Sequence, residues 1–323
     1  MGKASNDIPT LKYGNKIYPE DIAGMIGLPS VGNIYYVDPG VSVSGSGVTQ
    51  QDAFKTVAEA YAVMVADNDD VCVIAPSSST GRTNEAASID WAKRRTHIVG
   101  NGPLRKGWNR AGINFASTAT SPSFTVSATN CSFTNIIISN FADINVLVNV
   151  SAAYNTFNYV HFAGIANATT GADTAGRSLV ITEADDNHFN NCMFGIDTVL
   201  NSAANAIVEL IGNTAVARTQ FNDCIFTTVT DDAGVRWVLF TGAYSSEIYT
   251  LFKNCLFLNT RGGTTTLTVG MTVPASTNGY VLLTDSYMLG ATDFVDVVTN
   301  VYENMPTVAS AADSGVFLIH ANS

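Results

Sequence analysis

An all-β solenoid, with short strands coiled turn upon turn, is the fold class this sequence predicts, and three observations predict it. The pattern Phe-x-Asn/Asp-Cys-x-Phe recurs at Phe189–Phe194, Phe221–Phe226 and Phe252–Phe257. Degenerate copies flank it at Ala128–Phe133, Phe157–Phe162 and Leu283–Met288, so the cysteine position falls at 131, 160, 192, 224, 255 and 286. A fixed spacing of about 30 residues marks a stack of identical units, each touching only its neighbours. Composition agrees: 13% of residues are charged, 46% are hydrophobic and 26 are glycine, which suits many short strands and polar turns better than salt-bridged helices.

The elements follow in chain order. Residues 1–32 hold Pro9, Pro19 and Pro29 around Ile22-Ala23-Gly24-Met25-Ile26. Proline at that density opposes regular structure, so the segment reads as an extended arm for anchoring or oligomerisation, or as a disordered terminus. Asn33 to Asp38 is a strand, and Pro39 to Val48 a loop. A helix over about 49–67 starts at Thr49, which caps the amide of Asp52. Phe54, Val57, Ala58, Tyr61, Ala62 and Val65 give it one apolar face. A solenoid exposes an apolar end, and a helix just ahead of the first rung, Val71 to Pro76, closes it.

From there to about residue 300 the repeat sets the layout. Positions 128, 157, 189, 221, 252 and 283, and positions 133, 162, 194, 226, 257 and 288, point inward. Between them Asn130, Tyr159, Asn191, Asp223, Asn254 and Asp285 occupy a sharp corner, since Asn and Asp tolerate left-handed backbone. Leu179-Val180-Ile181, Ile207 to Ile211 and Val238-Leu239-Phe240 supply a further strand per turn. About seven turns at about 4.8 Å make a rod on the order of 35 Å long. The tail from Leu289 breaks the pattern, and 301–323, ending in Gly315-Val316-Phe317-Leu318-Ile319-His320, is a free tail or a closing strand.

The run Ile34-Tyr35-Tyr36-Val37-Asp38, the Gly/Ser loop, Gln51-Asp52-Ala53-Phe54-Lys55-Thr56, the helix and Asp70-Val71-Cys72-Val73-Ile74-Ala75-Pro76 resemble the opening of pectate-lyase-like proteins. Arg95-Thr96-His97-Ile98-Val99-Gly100-Asn101-Gly102 is similar to an early rung of the same superfamily. The resemblance spans roughly residues 34–300 and implies a single-stranded, right-handed parallel β-helix with an N-terminal capping helix. It is specific for fold and uninformative about activity.

Composition narrows the function. With 16 basic against 27 acidic residues the formal charge is −11, and the one basic cluster is Lys93-Arg94-Arg95. Binding nucleic acid through its phosphates needs a basic stripe, so no nucleic-acid partner is expected. No apolar run is long enough to span a bilayer, and Met1 to Asn6 opens neither a secretory signal nor a myristoylation site. The expectation is a chain made in a cytoplasm. Four of its five cysteines, Cys131, Cys192, Cys224 and Cys255, share one repeat position and read as reduced core thiols; their spacing does not suit zinc.

Parallel β-helices host lyases and glycosidases, and glycosidic cleavage needs two carboxylates about 5–9.5 Å apart. The candidates are Glu183, Asp185, Asp186, Asp231, Asp232 and Glu247, but the turn between Asp186 and Glu247 holds no acid and Asp231-Asp232 lies on another loop. His97, His161, His188 and His320 are scattered. Calcium at Asp69-Asp70 or Asp185-Asp186, and a sugar-stacking patch of Trp237, Tyr244 and Tyr249, are minor readings. No catalytic, cofactor-binding or metal-ligating residue is assigned.

The chain also resembles the β-helical virion proteins that decorate heads or form tail spikes of tailed bacteriophages. That resemblance implies a structural virion protein, preferentially capsid-decorating, anchored to other capsid or tail proteins by its N-terminal arm and assembled as a homotrimer. The alternative is a tail spike that binds or cleaves host surface glycan.

Overall fold

The computed structural model describes residues 19–76, 82–109, 111–261, 264–296 and 299–303. Within them the chain winds through three parallel sheets of ten, eight and eight strands. Each turn gives one strand to each sheet, as in His188–Asn190, Met193–Phe194 and Ala206–Ile211, followed one turn later by Thr219–Asn222, Ile225–Thr228 and Arg236–Thr241. The two smaller sheets set eight complete turns. This is a right-handed parallel β-helix.

Two columns of phenylalanine fill its core. In the first sheet Phe133, Phe157, Phe189, Phe221 and Phe252 pair strand to strand, with rings 4.7–4.9 Å apart and 4–11° from parallel. In the second sheet Phe162, Phe194, Phe226 and Phe257 stack at 4.6–5.0 Å. The columns meet edge to face at 5.6–6.0 Å. Period-two alternation puts these rings inward, and parallel register stacks them at the strand spacing.

The corner between those columns turns through one left-handed residue. Asn135, Tyr159, Asn191, Asp223, Asn254 and Asp285 all have φ between 50° and 57°. The amides of Asn135, Tyr159, Asn191, Asp223 and Asn254 donate to Asn158, Asn190, Asn222, Lys253 and Thr284 O at 2.8–2.9 Å. The corner's backbone is thereby satisfied by the next turn. Next along, Cys192, Cys224 and Cys255 point inward and donate Sγ–H to Phe157, Phe189 and Phe221 O at 3.3–3.4 Å. Ser286 does the same with its hydroxyl to Phe252 O at 3.3 Å.

The copy assigned to Ala128–Phe133 is out of register. Phe133 pairs with Phe157, not with Phe162, so the corner of that turn is Asn135 and its thiol position is Ile136. Cys131 belongs to the corner between the third and first sheets, where its amide donates to Asn155 Oδ1 at 2.9 Å. Asn130 is left-handed there too, which is why both alignments look alike in sequence. Three cysteines, not four, share the repeat position; all five are free and buried.

The ends depart from expectation in three places. Helix α1, Pro19–Ile26, replaces irregular chain: Pro19 stands in its first turn, where a missing N–H costs nothing. Its Ile22 and Ala23 are buried, Ile22 with Tyr36, Val71, Val73 and Val99, so this part of the arm lies on the chain's own first sheet. The capping helix is shorter, α2 at Val57–Val63. Thr49 Oγ does accept from the Asp52 amide at 3.2 Å, but Phe54 is held extended by bonds to Tyr36 O and from the Asp38 amide. The helix therefore starts at a capping box of Thr56 and Glu59. The buried Glu85 carboxylate accepts from the Val57 and Ala58 amides. Finally, Ala291–Val295 and Val301–Glu303 continue the third and first sheets, so the helical winding persists past Leu289. Gly315 to His320 lies outside the described residues.

Candidate functional site

The six acidic candidates lie at two different edges of the rod. Glu183, Asp185 and Asp186 follow the third-sheet strand Arg177–Thr182 at the corner leading into the first sheet. The next turn fills them. The Glu183 carboxylate accepts from the Asn213, Thr214 and Ala215 amides and from Thr214 Oγ at 2.6 Å. Desolvation opposes its charge, but these hydrogen bonds outweigh it and hold the carboxyl down to about 2. Asp185 accepts from the Ala217 amide at 2.8 Å. Asp186 is gripped bidentately by Arg218, both contacts at 2.6 Å, and its carboxyl sits below the usual range chiefly through that bond.

Glu247, whose amide donates to Val216 O, stands two turns from Asp185, with Val216, Ala217 and Arg218 between. Two turns are about 9.6 Å of rod, and no acid occupies the gap. Asp231 and Asp232 sit between the second and third sheets, where Asp232 accepts from the Gly234 amide at 2.6 Å. These groups do not converge on one substrate-sized point.

The other candidates disperse as well. Trp237 is fully buried against Phe257, and Gln220 Nε2 donates to Tyr249 Oη at 3.0 Å, so Trp237, Tyr244 and Tyr249 form no common patch. Lys93 Nζ donates to Tyr61, Ala62 and Met64 O at the end of α2; Arg94 pairs with Asp67 and Arg95 with Asp69. Asp70 accepts from the Asn33 and Val65 amides and Asn68 Nδ2. Among the described residues no group of three or more His, Cys, Asp or Glu side chains is placed to hold a metal.

Sequence spacing missed one constellation. On the outer face of the first sheet, His97 Nδ1 lies 2.8 Å from Ser132 Oγ, and its Nε2 lies 3.4 Å from Asp69 Oδ1. Burial lowers the pKa of His97, leaving a neutral ring. Nucleophile, base and acid are thus in line, although 28 and 35 residues separate them in sequence. The arrangement is nonetheless structural: Ser132 is 6% exposed, and Nδ1 also accepts the Ser132 amide at 3.1 Å. Parallel register (His97 opposite Ser132) is what brings them together.

No protein-family model matches the chain, and no curated protein matches its sequence. Among solved structures, the deglycosylated pectin methylesterase from Aspergillus niger aligns over 87% of this chain and 92% of its own, at 15% identity and TM-score 0.49. Pectin methylesterase PemA from Erwinia chrysanthemi covers 83% and 80% at 15% identity and TM-score 0.43. ORF18 of Geobacillus virus E2 covers 83% and 60% at 12% identity and TM-score 0.34. Function does not follow from likeness at this level. The three sheets and their register carry the assignment: in architecture the chain is a right-handed parallel β-helix.

Proposed function

We propose that this chain is a structural protein of a tailed-bacteriophage particle, preferentially on the head surface, with the β-helix as a rigid body. The residues ahead of α1 serve as its anchor to other virion proteins. One observation carries the reading: polar groups that recur turn after turn are engaged in bonding one turn to the next. The carboxylates of Glu183, Asp185 and Asp186 accept from the following turn, and Asn158, Asn190 and Asn222 form an amide ladder at 2.9–3.0 Å. Such a molecule resists bending, and these three acids are committed to its framework. The outer first-sheet row Thr156, His188, Gln220, Leu251 and Leu282 carries no carboxylate, a surface on which copies of an acidic chain can approach as a homotrimer.

Mass spectrometry and immunogold labelling of purified particles test it. The protein is expected in fixed copy number on the head, and absence from particles refutes the proposal. A glycan-acting spike is the second reading, favoured by the exposed Tyr280 and Tyr302 rings, 5.5 Å apart at the far end of the first sheet. Turnover of host glycan by the purified protein, lost in Asp185→Asn or Asp186→Asn, would establish it instead.

A further inference from the structure

The corner between the first and second sheets takes two residues in the later turns, such as Asn191 and Cys192 between Asn190 and Met193. In an early turn it takes residues 101–111, between strands Thr96–Gly100 and Gly112–Phe115. Its described part, 101–109, runs down the outside of the rod across the turns that follow. Asn135 Nδ2 donates to Gly102 O at 2.7 Å, Asn109 Nδ2 to Asn135 Oδ1 at 2.8 Å and Tyr159 O at 3.1 Å, and Lys106 Nζ to Asp223 O at 2.8 Å. Gly107 lies against Met193 Sδ with no room for a Cβ. The segment covers an apolar outer row of the second sheet, Ile137, His161 and Met193, which continues in register into Ile225 and Leu256.

Two features oppose this placement. Trp108 has φ 56°, a left-handed conformation that a bulky residue adopts only under constraint. Asn109 Oδ1 is buried without a partner. One side chain supplies the constraint. The Trp108 amide donates to His161 Nδ1 at 3.1 Å, His161 Nε2 donates to Gly195 O at 2.9 Å, and the Trp108 ring stands edge-on to the imidazole at 5.1 Å. The partners fix the tautomer: an amide can only donate and a carbonyl only accept, so Nδ1 is bare and Nε2 carries the proton.

We propose that residues 101–109 are a strap latched by neutral His161, and that a second proton on Nδ1 releases it and uncovers the apolar row. The proton comes from solvent and bonds to the Nδ1 lone pair. Nδ1 then becomes a donor facing the Trp108 N–H, so their hydrogen bond is lost. Elements around the ring carry Arg82, Arg105, Lys106, Asp197 and Asp223. Burial keeps the imidazole neutral down to about pH 4, the bond to Gly195 O works against that, and the field of Arg82 reinforces it.

Three indoles allow a direct test, because Trp91 and Trp237 are fully buried while Trp108 is 39% exposed. In nitrogen-15 NMR spectra of the whole chain, His161 is expected as the Nε2–H tautomer at pH 7. On acidification the Trp108 amide and indole signals should shift with a midpoint near pH 4, while the Trp91 and Trp237 indoles hold. His161→Gln, which keeps an acceptor and a donor, should abolish the shift. Trp108→Pro, which has no N–H and cannot take the left-handed conformation, should remove hydrogen-exchange protection from 103–109 at pH 7. The proposal fails if Trp108 moves only with Trp91 and Trp237, if the shift survives in His161→Gln, or if Trp108→Pro keeps wild-type protection.

Discussion

Removing a single ring from the stacked core, Phe189→Ala, tests whether the phenylalanine columns hold the rod together. Phe189 is fully buried. It stacks on Phe157 at 4.7 Å and Phe221 at 4.9 Å, and meets Phe162 and Phe194 edge-on at 6.0 and 5.7 Å. Core Phe→Ala changes cost about 3–5 kcal/mol, and an aromatic pair contributes about 0.5–1.5 kcal/mol beyond the area it buries. Phe189→Ala interrupts four pairs in a column whose parallel strands resist collapse into the hole, which places the loss near about 5 kcal/mol. A domain is stable by about 5–15 kcal/mol, so a large drop in the urea midpoint is expected. Phe221→Ala, with the same contacts one turn on, should match it within about 1 kcal/mol, and exposed Val43→Ala should stay within about 0.5 kcal/mol. A loss below about 2 kcal/mol for Phe189→Ala would mean that the columns are not close-packed.

Other substitutions and titrations address the corner, the thiols and the acids. Asn191 is left-handed, so Asn191→Gly should be nearly neutral and Asn191→Val should lose about 1–2 kcal/mol in the same assay. All five cysteines are buried and free, and burial raises the thiols of Cys72, Cys131, Cys224 and Cys255. The folded protein should therefore be silent to a thiol reagent at pH 8, with five equivalents reacting in denaturant. The Glu183 carboxyl is lowered from 4.5 to about 2 on folding, so its contribution to stability is present above about pH 4.5 and fades as the pH falls towards 2. Glu183→Gln should flatten that part of the stability profile; an unchanged profile would show that the four donors do not hold the charge.

The corner was legible because left-handed backbone leaves a chemical trace. Asn and Asp fill five of its six positions, and only Tyr159 departs. The thiol position was less so: Cys131 follows a left-handed Asn as Cys192 does, yet belongs to another corner, and only strand pairing separates them. Helix α1 was hidden because its stability comes from Val71, Val73 and Val99 on strands far along the chain, not from its own eight residues. The Asp69–His97–Ser132 line and the strap on His161 were invisible for one reason. Stacking brings residues 28 to 53 positions apart into contact, at offsets no local pattern records.

The same stacking explains why so many side chains of catalytic type sit here without a shared point of action. A parallel turn brings its neighbour's backbone amides within reach of any acid at its corner, and amides that no strand partner takes must find an acceptor. Glu183 collects three such amides, Glu85 collects two from α2, and Asp70 collects two beside the first strand. Hydrogen bonds hold the Glu183 carboxyl down while burial pushes that of Glu85 up, but a carboxylate fixed by backbone amides in this way makes a poor proton shuttle. The outer row of the second sheet meets a different condition: Ile137 and Met193 offer no acceptor side chain and need a cover, and His161 between them accepts the Trp108 amide. The strap provides that cover at the expense of a left-handed tryptophan. The corner acids fasten one turn to the next permanently, whereas His161 is a fastening that one proton can undo.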